Sequence, residues 1–238
     1  MKQLLLLICL AASIHSYAIW DVIKGNGIAK NETREASGYT SLACGGPMKV
    51  EVVYGTSNSI QLEGDENILP FIETIVKDGE LIIRVKEHAS VKPQVPLRVH
   101  VSMTTINKLA QSGSGEIKGS GNFTSTQNTD VAMSGSGSIN LKFSKFDGMT
   151  ISMSGSGSIN MEGELDDGLD VSQSGSGNID CEHVASKNVN ARISGSGNLR
   201  VNASKSLDAQ ISGSGHIYYT GDASVSTKLS GSGKVEKI

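Results

Sequence analysis

The tetrapeptide Ser-Gly-Ser-Gly occurs seven times in this chain, beginning at Ser112, Ser134, Ser154, Ser174, Ser194, Ser212 and Ser230. The intervals between starts are 22, 20, 20, 20, 18 and 18 residues. A flexible linker of the same composition has no reason to keep a register. A near-constant period of about twenty residues instead marks a solenoid, where each repeat forms one coil stacked on the next.

The residues on either side of the motif identify the coil. Before the first serine, positions −5, −3 and −1 are mostly apolar: Met149, Ile151 and Met153 in one repeat, Val189, Ala191 and Ile193 in another. After it, positions +5 and +7 hold Ile139/Leu141, Ile159/Met161, Ile179/Cys181, Leu199/Val201 and Ile217/Tyr219. Period two on both sides describes strands with one buried face. The alternation continues through the motif, which puts its glycines on the inward face and its serines on the outward one. An inward glycine leaves room for a sharp bend, so the motif is expected to form a corner of the coil. Between motifs, Asp147-Gly148 and Asp167-Gly168 share a column and predict a second, tight turn. The fold class that follows is all-β: a parallel β-helix over residues 109–238, in coils of about 18–22 residues spaced roughly 4.8 Å apart.

Residues 19–108 have a different texture. Lys49 to Tyr54 (KVEVVY) and Pro96 to Met103 (PLRVHVSM) alternate as strands do, and Ile72 to Val85 reads as a hairpin turning at Asp78-Gly79. Asp65 to Phe71 (DENILPF) suits a single helical turn capped by Asp65. This region is expected to be antiparallel-rich β structure that caps the first coil, because an open solenoid end templates aggregation. The last strand, near Lys234-Val-Glu-Lys-Ile238, has no such cap. It is expected to rely on its charges or to pair with a second chain, giving a homo-oligomer.

The first eighteen residues, MKQLLLLICLAASIHSYA, have the layout of a secretory signal, with cleavage expected after Ala18. The apolar run Leu4 to Ala12 is too short to span a bilayer, and Ile8 stands where a lipoprotein signal would carry a small residue before Cys9. The formal charge is −3, and loss of Lys2 with the leader makes it −4. With no basic stripe, nucleic acid is not an expected partner. Cys44 and Cys181 are too few for a disulfide framework and read as small buried thiols.

Trp20-Asp-Val-Ile-Lys-Gly-Asn-Gly27, Gly64-Asp-Glu-Asn-Ile-Leu-Pro-Phe-Ile72, Asp78-Gly-Glu-Leu-Ile-Ile83 and Ile106-Asn-Lys-Leu-Ala-Gln-Ser-Gly-Ser-Gly115 join the repeats in one combination. In that combination the mature chain resembles the "putative auto-transporter adhesin head GIN domain" family, DUF2807. The resemblance implies an exported protein of β-strands with a β-helical part. It brings no catalytic residues with it. The auto-transporter half of the label implies a carboxy-terminal transmembrane barrel, whereas no transmembrane segment is expected in the mature chain. The adhesin half rests on analogy of fold.

Site chemistry is sparse. A polysaccharide lyase or hydrolase would need acids and a base converging in a groove. The candidates are Asp147, Asp167 and Asp170, with Glu162, Glu164, Arg192 and Arg200; the two aspartates before glycine are explained more simply by turn chemistry. Calcium along that acidic edge is an alternative, but the GGxGxD signature of calcium β-rolls is absent. His88, His100, His183 and His216 lack metal-ligand spacing, and no metal or cofactor is expected. What remains is an outward ladder, Ser136, Ser156, Ser176, Ser196 and Ser214, whose hydroxyls could meet a glycan or a surface protein. The simpler account is that an exposed glycine corner tolerates serine. The functional expectation is an exported, non-enzymatic, adhesin-like β-helix of the cell envelope or exterior. A carbohydrate-binding or polysaccharide-processing protein and a purely structural envelope component are the alternatives.

Overall fold

The computed structural model describes residues 22–57 and 59–238. The expected leader at 1–18, its cleavage site and Trp20-Asp21 lie outside the described residues. The described chain is all-β, with one 3-10 turn at Leu69–Phe71.

Two parallel sheets meet at the Ser-Gly-Ser-Gly corners. The inbound sheet, whose strands run into the corner, stacks Lys108–Gly113 on the 130–135 segment, then on 149–155, 169–175, 189–195, 207–213 and 225–231. The outbound sheet stacks Glu116–Ser120 on 138–142, and continues through Ser158–Leu165 to Lys234–Lys237. Equivalent residues are paired without slippage: Ser134, Ser154, Ser174, Ser194, Ser212 and Ser230 lie one above the next. This is the expected β-helix. Its core is the inward column set, with Met149, Ile151, Val171, Ala191 and Ala209 at 0–1% exposure.

The corner explains the motif. The first glycine is left-handed, with Gly155 at φ 126°, and its carbonyl accepts the Ser176 N–H of the following coil at 3.1 Å. The second glycine makes room for a neighbour. A Cβ on Gly157 would lie 2.7 Å from Cε of Met133, the −1 residue one coil back, and one on Gly177 would lie 2.6 Å from Cε of Met153. Each −1 side chain thus leans under the next corner, where only hydrogen fits. Gln173 fills the same column as these methionines and donates its amide to the Gly177 carbonyl.

The side opposite the corner departs from expectation. Asp147-Gly148 is no tight turn: it lies inside the continuous strand Ser138–Gly155, and Gly148 is not left-handed. The chain bends there by slipping register between Lys142 and Lys145. Phe143 and Phe146 stack at 4.1 Å and 6° beneath the bend, so aromatic packing underlies the bend in this coil, whereas, one coil on, the strand does break, at a bend over Asp166-Asp167 just before Gly168.

The parallel stack also begins earlier in the chain than the first motif. Ser41–Gly45 and Lys49–Tyr54 pair in parallel with Lys108–Gly113 and Glu116–Ser120. Their corner is Gly45-Gly46-Pro47, with Gly46 at φ 107°. Glu80–Val85 and Arg98–Met103 stack beyond them, so the strand order in space differs from the order in the chain. Antiparallel strands then close this end: Ile72–Lys77 on Glu80–Val85, turning at Asp78-Gly79, and Ser59–Asp65 on Arg98–Met103 and Ala29–Glu35. Arg34 pins the 3-10 turn by donating to the Ile72 carbonyl at 2.6 Å and the Leu69 carbonyl at 3.0 Å.

Asp65 does not cap that turn, whose N-cap is Ile68 with no side-chain cap bond. Its fully buried carboxylate instead accepts the N–H groups of Gly27 (2.7 Å), Gln94 (2.9 Å) and Val95 (2.9 Å). It draws the 25–27 segment and the 94–95 loop onto the cap. Cys44 and Cys181 are free and buried; burial pushes the Cys44 thiol up to about 12 and raises that of Cys181 as well.

Candidate functional site

Outward side chains on the inbound sheet fall into columns at −4, −2 and 0 relative to the motif. Between the −2 and 0 columns runs an open furrow of about 950 Å³, lined by every strand from Glu80–Val85 to Ser224–Gly231. Nine stacked strands spaced about 4.8 Å apart make it roughly 38 Å long. Its middle is built of small residues, chiefly Ala110, Ala132, Ser152 and Ser172 facing Ser112, Ser134, Ser154 and Ser174. Small side chains on two neighbouring columns leave the backbone at −1 as a floor, because the −1 side chain points into the core.

The ends of the furrow are charged. Arg84 stands at the capped end, held by Glu73 at 3.0 Å and Glu87 at 3.2 Å. At the other end Arg192, Gln210 and Lys228 occupy successive rungs of the −2 column. Such a surface is a continuous track across the stacked strands, with hydroxyls along one edge and cations at the far end.

The expected serine ladder lies around the corner from this furrow. Ser136, Ser156, Ser176, Ser196 and Ser214 are all exposed. Their backbone N–H groups donate to the Gly113, Gly135, Gly155, Gly175 and Gly195 carbonyls at 2.9–3.1 Å. These residues therefore serve the stack through their backbones. Ser136 and Ser156 also line a second groove of about 360 Å³ with Ser138, Ser158 and Asn178; Ser176, Ser196 and Ser214 do not.

The candidate acids are not brought together. Asp170 accepts the Asn190 amide at 2.7 Å on the inbound face, while Asp147 and Asp167 sit exposed on the opposite bend. Glu162 pairs with Lys142 at 2.5 Å, and Lys145 bridges Asp166 at 2.7 Å and Glu164 at 3.8 Å. Arg200 pairs with Glu182 at 3.1 Å and lies 5.6 Å from the Tyr218 ring centre. Among the described residues no group of three His, Cys, Asp or Glu side chains is placed to hold a metal, and no helix is long and apolar enough to cross a membrane.

Comparison with known proteins turns on the same stretch of chain. The family model described as "Putative auto-transporter adhesin, head GIN domain", DUF2807, matches residues 38–223. The chain belongs to this family. The DUF2807 match takes in the early coil at 41–54 and all but the last of the Ser-Gly-Ser-Gly corners. Solved structures agree on the fold. A "putative adhesin" from Bacteroides fragilis NCTC 9343 superposes with TM-score 0.82 at 22% identity, covering 91% of this chain and 100% of that one. A "putative lipid binding protein" from Parabacteroides distasonis ATCC 8503 gives TM-score 0.75 at 25% identity over 92% and 100%. A "putative adhesin" from Parabacteroides merdae ATCC 43184 gives 0.68 at 25% identity over 92% and 99%. No curated protein matches this DUF2807 chain.

The furrow was not read from the sequence. Its signal was there, in the alternation of Ala110, Ala132, Ser152 and Ser172 at one offset from the motif. Small outward residues carry no distinctive chemistry singly, and only stacking turns them into a surface.

Proposed function

We propose that this chain is an exported, non-enzymatic, adhesin-like β-solenoid that holds an elongated partner along the inbound-sheet furrow. The partner is a glycan chain or an extended segment of a surface protein. The observation that carries this reading is the continuity of the furrow over nine strands: a long continuous track suits a polymer better than a small substrate. Family membership supports the adhesin-like character, and the leader layout supports export. The dispersal of the acids favours binding over cleavage, because hydrolytic chemistry needs two carboxyl groups facing one bond.

Filling the track tests the reading. The pair Ser152→Arg and Ser172→Arg should weaken binding on glycan and matrix-protein arrays at least tenfold, while leaving the melting temperature within about 2 °C, as for other exposed substitutions. Ser136→Ala with Ser156→Ala should leave binding unchanged. The smaller groove favours a second reading, in which the ladder hydroxyls touch the glycan directly; the reverse pattern of losses would select it. Export is checked by fractionating producing cells. The full chain should leave the cytoplasm, and a form lacking residues 1–18 should stay inside.

A further inference from the structure

The two ends of the stack are unlike. The end near Glu80–Val85 and Arg98–Met103 is closed by antiparallel strands. At the other end, Ser224–Gly231 and Lys234–Lys237 have a neighbouring coil on one side only among the described residues. Val225, Leu229 and Ile238 are 38%, 51% and 53% exposed, whereas Leu207 and Ile211, in the same inward columns one coil back, are 1% and 2% exposed. A cross-section of core is therefore bare, framed by strand edges with unpaired N–H and C=O groups. Such an edge accepts another strand readily.

We propose that this end face binds a second copy of the chain, corner upon corner, about a two-fold axis that bisects the last corner. The inbound strand runs toward the corner and the outbound strand runs away from it. A two-fold along the bisector therefore lays each inbound strand antiparallel on the outbound strand of the second copy. The contact is isologous and closes, so it gives a dimer and not a filament.

Charge selects the register. Inward residues must face inward residues, because a one-residue slip would turn every side chain to the wrong face. In the register that sets Leu229 on Val235 of the second copy, Lys228 stands opposite Glu236 of that copy, and the symmetry repeats the pair. A slip of two residues one way sets Lys228 against Lys234. A slip of two the other way sets Lys228 against Ile238 and Leu229 against Lys237. Within its own chain Lys228 has no ion pair among the described residues, and Glu236 has only the long contact to Lys234 at 3.9 Å. Both charges are thus available to the second copy.

The contact is no larger than one coil's cross-section, which places it with the small, reversible interfaces below about 1,200 Å². Its consequence for a surface-binding protein is two furrows on one particle, so that two weak contacts act together as one stronger attachment.

Sedimentation velocity on the purified protein tests the proposal. The apparent mass should rise toward twice the monomer's between low and high micromolar concentration. Lys228→Glu and Glu236→Lys should each weaken association at least tenfold, by placing like charges opposite each other. The double variant Lys228→Glu/Glu236→Lys should restore it, and Leu229→Lys should abolish it. All three residues are exposed, and unchanged far-UV circular dichroism confirms that the variants fold. A wild-type protein that stays monomeric throughout overturns the proposal. So does a dimer indifferent to Lys228→Glu, or a double variant that fails to recover.

Discussion

Replacing Gly155 by alanine is expected to lower the melting temperature by roughly 10 °C, since about 4 kcal/mol at a few degrees per kcal/mol gives that shift in a chain of this size. Two effects add. At φ 126° the backbone of Gly155 is in a region that L side chains rarely adopt, and holding a non-glycine residue there costs about 1–3 kcal/mol. The new Cβ would also be driven into the Gly135 carbonyl of the previous coil. Overpacking of that kind costs about 1–3 kcal/mol. Because stability in a stacked array is a sum over neighbouring coils, the damage falls on the coils beside the corner. Ser156→Ala, one residue along, removes only an exposed hydroxyl and should stay within about 0.5 kcal/mol. Equal melting temperatures for the two variants would refute this account of the corner.

Asp65→Ala should be comparably damaging, at about 3 kcal/mol or more, since it removes a fully buried carboxylate that accepts three backbone N–H bonds, and a hydrogen bond to a charged group contributes about 1.5–3 kcal/mol. The N–H groups of Gly27, Gln94 and Val95 would lose their shared acceptor. The loss is regional: hydrogen exchange should accelerate across the capping strands first and in the middle coils least. The acid response follows from the same site. Burial alone would raise the Asp65 carboxyl, but the backbone N–H donors outweigh it and hold the carboxyl below its ordinary value. A depressed folded value means that stability from this group is fully present above the unfolded value of about 3.9 and is lost as pH falls through the lower folded one. The capping strands of the wild type should therefore loosen below about pH 4. Asp65→Ala should lack that acid step, having lost the stabilisation at every pH.

What could be read before folding was whatever repeats or alternates. The parity of Met149, Ile151, Met153, Gly155, Gly157, Ile159 and Met161 placed the glycines inward, and the structure puts Gly157 in the core with the serines outside. The Asp78-Gly79 hairpin was legible because its turn chemistry is local. Asp65 was misread for the opposite reason: its partners lie 38, 29 and 30 residues away, and only the closed cap brings them together. The coil at 41–54 was hidden because its corner is Gly45-Gly46-Pro47, which does the work of the motif without its letters. Asp147-Gly148 looked like a turn, yet Phe143 and Phe146 packing beneath it lets the strand continue. The furrow was the least legible feature, since no one coil contains it.

The placement of the bound partner tests the central claim most directly. A small diazirine amino acid can be installed at Thr150 or Asp170, outward residues two positions before Ser152 and Ser172, and separately at Asn160 on the outbound face. The protein is then irradiated on the glycan or matrix preparation that retains it. A partner lying along the inbound sheet predicts strong cross-links from positions 150 and 170 and few from 160. Cross-links from 160 alone would contradict it and move the binding surface to the other face of the solenoid.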